Sequence, residues 1–230
     1  MEDSGERCSS KLGSQEFWEE TFVRESKNFS EAVETGTHDD MIDCGEVWFG
    51  ERVLEKVVNF MMDHGIASDA PILDLGCGNG NFLLKATEEG YTNFTAVDYC
   101  QSAVNLAQEQ CKHFLKEKAD TITFKVEDIR CNTEDTARKF LLIHDKGTLD
   151  AFLLCKENDP NEYVKGVHHR LQKNDKSRLL ITSCNWTREE LNNYFKEYLE
   201  EVDYIKDHKS FSFGGSSGST VTTVLFKIKQ

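Results

Sequence analysis

Three glycines and an acidic residue stand close together where the chain passes from an apolar run into a helical pattern. Gly76, Gly78 and Gly80 fall within five residues, Cys77 lies between them, and Asp74 precedes them inside the apolar run. Glycine is favoured where the backbone turns sharply and a ligand must lie against it. The spacing therefore predicts a ligand-binding turn, and a turn with a purely structural role is the alternative.

Two further carboxylates follow the next two apolar runs. Asp98, with Tyr99 beside it, ends the second run 22 residues after Gly76. A carboxylate at that place can accept hydrogen bonds from both hydroxyls of a ribose, although it could also cap the next helix. Asp128 and Ile129 close the third run, where a carboxylate can accept a hydrogen bond from an adenine amino group. The ordered set predicts a nucleoside site.

The type of nucleoside follows from the turn itself. A dinucleotide fingerprint has the spacing G-x-G-x-x-G, whereas here Gly80 comes one residue early and position 81 is Asn81. Asp74 would repel a diphosphate, but it can attract an ammonium or a sulfonium. The G-x-x-x-x-G-K-[ST] pattern of nucleotide triphosphatases is absent from the sequence. We therefore expect a cationic nucleoside that carries an amino acid.

Short apolar runs that alternate with helical patterns are the elements that must position these residues. The alternation predicts right-handed βαβ units and a doubly wound, Rossmann-like α/β sheet that is mostly parallel. Two strand-like runs at the end have no helix between them, so the last strand should run antiparallel. The predicted strands are 71–75, 94–98, 121–126, 140–143, 178–182, 202–213 and 220–229, and the predicted helices are 46–64, 81–89, 102–118, 161–172 and 187–198.

Length and charge limit the domain organisation and the partners. The chain has 230 residues, 38% of them hydrophobic, which suits one core. We expect a disordered N-terminus over 1–13, helices and an acidic loop packed on the core over 14–70, and the catalytic core over 71–230. The net charge is −14, which disfavours nucleic acid as a partner and favours a basic one.

The cysteines and the N-terminal composition indicate the compartment. Eight cysteines are scattered with no C-x-x-C pair, so we expect neither a zinc site nor any other metal site. The N-terminal residues are polar and no run is long and apolar enough for a membrane span. We expect a monomeric protein with reduced cysteines, not bound to a membrane, in the cytoplasm or also in the nucleus.

The ordered motifs resemble the class I, seven-stranded S-adenosylmethionine-dependent methyltransferase family over residues 71–229. The resemblance implies a strand order of 3-2-1-4-5-7-6 with the last strand antiparallel, and S-adenosyl-L-methionine as the cofactor. It also implies the cofactor-binding residues by position. Those on the methionine side are Asp74, Gly76, Cys77, Gly78 and Gly80; those at the ribose are Asp98 and Tyr99; those at the adenine are Asp128 and Ile129.

Four other stretches, 45–50, 144–151, 181–187 and 211–215, narrow the resemblance. They look like the lysine methyltransferases that modify translation elongation factor 1-alpha, in the methyltransferase-like protein 10 group. The chain departs from that group in the acidic residues of 37–44. The resemblance implies a protein-lysine N-methyltransferase that acts on the elongation factor. A small-molecule methyltransferase and a cofactor-binding protein without turnover are the alternatives.

Methyl transfer to lysine makes particular demands on the side chains around it. The amine must lose its proton, and its unperturbed pKa is about 10.4, so desolvation by aromatic walls would help. We predict Asp145 as the catalytic residue that orients the ammonium, with a turn role as the alternative. Trp48 and Trp186 could instead be core residues. The predicted substrate-binding residues are Trp48, Phe49, Asn185, Trp186 and Phe213.

Overall fold

A computed structural model describes residues 10–131, 139–206, 210–213, 216–219 and 221–229. Seven α-helices occur in this part of the chain, together with short 3-10 turns. They are α1 (Gln15–Glu34), α2 (Glu51–Asp63), α3 (Asn81–Glu88), α4 (Gln101–Leu115), α5 (Thr148–Leu154), α6 (Pro160–Arg170) and α7 (Arg188–Phe195). The strands are β1 (Ile72–Leu75), β2 (Phe94–Asp98), β3 (Thr123–Val126), β4 (Leu142–Lys146), β5 (Arg178–Ser183), β6 (Leu199–Tyr204), β7 (Ser210–Phe213), β8 (Ser216–Ser219) and β9 (Thr222–Ile228).

Seven strands form one mixed sheet in the order β3-β2-β1-β4-β5-β9-β6. The pairs from β3 through to β5 are parallel, and β9 runs antiparallel to both β5 and β6. Counted within this sheet, the order is the predicted 3-2-1-4-5-7-6, which confirms the fold class. Because β1 to β5 are parallel, their carboxyl ends meet at one edge, where ligands bind in such sheets.

Alternate residues of the central strands enter the cores on opposite faces of the sheet, as the two-residue period of a strand requires. Leu73 of β1 and Ile143 of β4 pack on the side of α6 and α7. Ile72 and Leu142 pack on the side of α2, α3 and α4. On α2 the buried residues Leu54, Val57, Val58 and Met61 recur at helical spacing, so one apolar stripe meets the sheet.

The N-terminal helix α1 adds a third apolar cluster. Trp18, Phe22 and Phe29 of α1 are buried against Cys100 and the first turns of α4. Ser14 begins the helix, and its hydroxyl accepts a hydrogen bond from the backbone N–H of Phe17 at 3.2 Å. The helix thereby places aromatic residues next to the carboxyl end of β2.

Several predicted elements have different bounds in the structure. The helix predicted over 46–64 begins only at Glu51, because Gly50 has a φ of +86° and interrupts the helical path. The predicted strand 140–143 is displaced to Leu142–Lys146, whose polar residues His144 and Asp145 are buried and so escape an apolar pattern. Helix α5 was not predicted.

The C-terminal pattern also differs from the prediction. The single strand predicted over 202–213 is divided into β6 and β7, and β7 pairs with β8 as a separate hairpin. Of the predicted disordered segment 1–13, Lys11–Gly13 form a 3-10 turn capped by the Ser10 hydroxyl, and residues 1–9 lie outside the described part. In the described residues no helix is long and apolar enough to cross a membrane.

Candidate active site

The glycine turn at the end of β1 is shaped by close contacts within the protein. The backbone N–H groups of Gly76 and Cys77 both donate to the carbonyl of Val97, at 2.8 and 2.9 Å. Gly76 has a φ of +71°, and a Cβ on it would lie 2.0 Å from Oγ1 of Thr148. A Cβ on Gly80, at φ +84°, would lie 3.1 Å from Ala107. Packing against α5 and α4 therefore requires two of the three glycines.

The Asp98 carboxylate joins the ends of β1 and β2. Its Oδ2 accepts a hydrogen bond from the N–H of Gly78 at 3.0 Å, and its Oδ1 accepts one from Cys100 at 3.0 Å. Burial raises the pKa of Asp98 to about 6, although these two hydrogen bonds act in the opposite direction. The side chain is only 6% exposed, and it lines the cavity described below.

Asp128, just beyond β3, is held by an arginine. Nε of Arg130 donates to both carboxylate oxygens, at 3.0 and 2.9 Å, and its Nη1 donates to Asn158. Burial acts to raise the pKa of Asp128, but the hydrogen bonds from Arg130 outweigh it and the pKa lies below its usual value. Asp128 and the buried Ile129 thus form one end of the cavity.

One cavity of about 380 Å³ lies at the carboxyl edge of the sheet, within the usual range for a small-molecule site. It brings together most of the residues that we predicted from the sequence. Those that line it are Trp48, Phe49, Gly76, Cys77, Gly78, Asp98, Tyr99, Asp128, Ile129 and Asn185. Asp74, Gly80, Asp145 and Trp186 do not line it, and the side chain of Phe213 lies outside the described part of the structure.

Asp74 lies beneath the turn rather than in the cavity. It is 2% exposed, and its Oδ1 lies 2.8 Å from Nδ1 of His144, which stacks on Phe82 with ring centroids 3.6 Å apart. Its other oxygen has no hydrogen-bond partner among the described residues. Asp74 therefore does not face the cavity, where it could contact a ligand ammonium. It forms a buried pair with His144 that supports the turn.

Asp145, the predicted catalytic residue, lies behind the cavity and does not line it. Asp145 is completely buried, and its carboxylate accepts hydrogen bonds from the N–H groups of Thr148 and Leu149, each at 3.0 Å, and from the hydroxyl of Tyr163. Burial raises its pKa to about 7. Since the first turn of a helix has unpaired N–H groups, Asp145 satisfies those of α5 and positions that helix.

Asp150 is the carboxylate that α5 presents to the cavity. Its Oδ1 accepts a hydrogen bond from the Ser183 hydroxyl at 2.5 Å, and its Oδ2 accepts one from the N–H of Cys184 at 2.9 Å. Burial raises the pKa of Asp150. These bonds hold the segment after β5, which places Asn185 at the cavity. Trp186 instead contacts Tyr194, with ring centroids 5.5 Å apart.

Aromatic residues from the N-terminal part of the chain form a wall that the sequence only partly indicated. Trp48 lies in the turn before α2 that a hydrogen bond from the N–H of Gly50 to the carbonyl of Val47 closes at 2.7 Å, and it meets Trp18, with ring centroids 5.2 Å apart. Nε1 of Trp18 donates to the carbonyl of Leu12 at 2.8 Å, so the first described turn also lines the cavity. The sequence signal for this wall is that Trp18 and Phe22 are four residues apart and so lie on one face of a helix. That spacing predicts a buried face, but it does not show that the face lines a cavity.

The donor set of this cavity can be compared with the expected ligand. Asp98 follows β2, Asp128 follows β3, and four carboxylates in all line the cavity, the others being Glu127 and Asp150. Arginines pair with Glu127 and Asp128, so the charge of Asp98 and Asp150 is the part that would repel a diphosphate and suit a nucleoside with a cationic tail. Among the described residues no group of His, Cys, Asp or Glu could hold a metal ion. The cavity thus fits S-adenosyl-L-methionine.

Comparisons with solved structures define the class of protein. The N-methyltransferase NodS from Bradyrhizobium japonicum, solved with S-adenosyl-L-homocysteine, has a TM-score of 0.60 and 15% identity, over 88% of this chain and 99% of that one. A TehB-like methyltransferase from Corynebacterium glutamicum has a TM-score of 0.59 and 16% identity, over 90% and 98%. The fold is that of the seven-stranded, Rossmann-like methyltransferases.

Sequence comparisons give the family. A methyltransferase domain model matches residues 66–224. The human protein named EEF1A lysine methyltransferase 2 is 38% identical over 95% of this chain and 87% of its own length. Protein-lysine N-methyltransferase EFM4 of Saccharomyces cerevisiae is 31% identical over the whole of both chains. The chain belongs to the methyltransferase domain family, and its cofactor is S-adenosyl-L-methionine.

Proposed function

We propose that the chain is a protein-lysine N-methyltransferase whose substrate is translation elongation factor 1-alpha. The observation that carries this proposal is the 38% identity to human EEF1A lysine methyltransferase 2 along 95% of the chain. The Schizosaccharomyces pombe protein named Protein-lysine N-methyltransferase efm4 is 34% identical over 95% of this chain and 94% of its own length. The similarity therefore includes the N-terminal wall of the cavity as well as the sheet.

The cavity suggests how the cofactor is held. In this proposal the Asp98 carboxylate accepts hydrogen bonds from the ribose hydroxyls while Gly78 and Cys100 fix its position. Asp128 accepts from the adenine amino group, and Ile129 contacts the ring. The turn at Gly76 to Gly78 lies along the methionine part. These assignments follow the order of the strand ends, which all open on the same cavity.

The other part of the cavity suits a lysine side chain. The cofactor supplies a methyl group on a sulfonium, and the acceptor amine must reach it in line and without its proton. Trp48 and Phe49 would surround the aliphatic stem of the lysine and exclude water, which lowers the pKa of the amine. Correct alignment accounts for much of the rate gain in such displacements, up to roughly 7–11 kcal/mol.

We propose that Asp150, rather than Asp145, orients the incoming ammonium. It lines the cavity, and its oxygens are already oriented by Ser183 and Cys184. Its carboxylate would accept a hydrogen bond from the ammonium of the substrate lysine and so orient it. The ammonium would then lose a proton to water before the methyl transfer. The net charge of −14 would meanwhile attract a basic surface on the partner protein.

Transfer of a labelled methyl group to purified elongation factor 1-alpha tests the proposal. The factor should come from cells that lack the endogenous activity, and the modified residue should be located by mass spectrometry. We expect label on one lysine of the factor, and much less label with an Asp98→Ala variant at the same low cofactor concentration. Label confined to the small-molecule fraction of a cell extract would contradict the proposal, and so would cofactor binding without any transfer.

The location and the oligomeric state remain predictions. We propose that the protein works as a monomer in the cytoplasm, and also in the nucleus, where cysteines stay reduced. The seven cysteines of the described residues are all free thiols, which supports a reducing compartment. Fractionation of cells and light scattering of the purified protein would check both.

A further inference from the structure

The cationic side chains at the cavity differ in how they are paired. Arg130 and Lys146 are the two cations among its described lining residues. Arg130 is already occupied, because its guanidinium binds both oxygens of Asp128 and also Asn158. It therefore offers little further capacity to bind an anionic ligand.

Lys146 has no such partner. It ends β4 and is half-buried, and its Nζ donates to the carbonyl of Trp48 at 3.3 Å and lies 5.8 Å from the centre of the Phe49 ring. In the described part of the chain no carboxylate forms an ion pair with it. An ammonium has three hydrogens to donate, so two remain for a ligand. Asp74 and Asp145 attract this ammonium without contacting it, so an anion bound directly to its free hydrogens would stabilise it further.

The position of Lys146 indicates which part of a ligand it would meet. Strand β4 lies next to β1, and Leu75 is in register with Asp145, so Lys146 adjoins the glycine turn that we assign to the methionine part. The cofactor carries a sulfonium, an ammonium and a single anionic group, its carboxylate. We propose that Lys146 binds the carboxylate of the cofactor, an inference that rests on the methyltransferase assignment but not on the identity of the protein substrate.

This contact would make the site selective for nucleosides with an amino-acid tail. Charge-assisted hydrogen bonds are worth more than neutral ones, and the partial burial of Lys146 reduces screening by water. Nucleosides without the carboxylate would then bind weakly even if their adenosine part fits. The residue responsible for this selectivity, Lys146, belongs to β4. It is therefore separate from the glycine turn and from the acids Asp98 and Asp128 that indicated the nucleoside site in the sequence.

Calorimetry of the whole protein with two ligands tests the inference without any mutation. S-adenosylhomocysteine and S-adenosyl-3-thiopropylamine differ only by the carboxylate. We expect the first to bind roughly 10- to 100-fold more tightly, as one hydrogen bond between charged groups allows. Equal affinities would overturn the inference.

Variants then assign the effect to Lys146. Lys146→Met should lose the preference for S-adenosylhomocysteine and leave the affinity for the amine analogue unchanged, whereas Lys146→Arg should keep part of the preference. Lys112→Met, at an exposed lysine of α4, removes the same charge away from the cavity and should behave like the unaltered protein. A Met variant that keeps the full preference would contradict the assignment.

The readout separates this inference from the proposed function. A protein that shows the carboxylate preference but methylates no elongation factor would contradict only the substrate proposal. A protein that methylates the factor but binds both ligands equally would contradict only the role of Lys146.

Discussion

Nδ1 of His144 and Oδ1 of Asp74 lie 2.8 Å apart in the interior of the sheet, on the neighbouring strands β4 and β1. Both side chains are almost fully buried, and Nε2 of His144 has no hydrogen-bond partner among the described residues. Burial lowers the pKa of His144, although the hydrogen bond to Asp74 opposes this. The acidic residue of the glycine motif is thus part of the support for the turn.

Loss of this pair should destabilise the protein. His144→Phe keeps a ring against Phe82 but removes the donor to Asp74, so we expect a loss of about 1–3 kcal/mol, the cost of an unsatisfied buried polar group. Urea denaturation measures it. His38→Phe is the matched control, because His38 makes the same Nδ1–Oδ1 contact to Asp40 at the surface. Equal losses in both variants would show that burial of the pair is unimportant.

The pH dependence of stability should report on Asp145. Its pKa is raised to about 7, so between about pH 4 and 7 the folded state keeps a proton that the unfolded state has released. Its contribution to the free energy of unfolding is present at low pH and is lost as the pH rises through 7. In Asp145→Asn a series of urea titrations should show a smaller fall, and Asp98, whose pKa is raised to about 6, accounts for part of the fall that remains.

Asp120→Asn, at an exposed residue, should follow the pH profile of the unaltered protein. The same Asp145→Asn variant tests whether Asp145 takes part in catalysis. Because Asp145 does not line the cavity, turnover per folded molecule should be largely retained. A loss of turnover at full folding would restore a catalytic role for Asp145.

Removal of the Asp98 carboxylate should weaken cofactor binding. Asp98→Ala removes the acceptor for the ribose and frees the N–H groups of Gly78 and Cys100, so we expect roughly 100-fold weaker binding of S-adenosylhomocysteine. Calorimetry measures it, and Asp120→Ala is the control for loss of one negative charge. An affinity that stays unchanged would place the nucleoside elsewhere in the cavity.

The two tryptophans near the site should behave differently. Trp48 lines the cavity, so Trp48→Ala should lower kcat/KM for elongation factor 1-alpha by roughly tenfold or more, the effect of about 1.4 kcal/mol. Trp186 contacts Tyr194 instead, so Trp186→Ala should lower the thermal midpoint while activity per folded molecule is retained. Loss of activity in Trp186→Ala with full activity in Trp48→Ala would contradict this assignment.

The glycine turn and the acids at the strand ends were predictable because their positions follow from chain order. Gly76, Asp98 and Asp128 need only parallel strands to meet at one edge, and the apolar runs predict those strands. The position of Asp145 behind the cavity was not predictable, for a different reason. Its spacing in the chain is compatible with either the cavity or the first turn of α5, and only the direction of the side chain decides between them.

The N-terminal wall was harder to predict. Trp18 and Leu12 line the cavity because the N-terminal segment packs against residues near position 100. Contacts between residues so far apart in sequence leave no local pattern from which they could be predicted. Lys146 gave no signal either, because a lysine at the end of a strand is ordinarily solvated. Trp48 is predicted on a helix, whereas it lies in the turn before α2, because Gly50 at φ +86° delays the start of the helix to Glu51.

The position of β9 also affects the order in which the sheet can be completed during synthesis. Strand β6 pairs with β9 within the sheet, yet β9 is translated after β6 and after the β7–β8 hairpin. Until the ribosome has released β9, the neighbouring edges of β5 and β6 both carry unpaired backbone groups, which favour aggregation. A nascent chain arrested before Thr222 should therefore depend on chaperones.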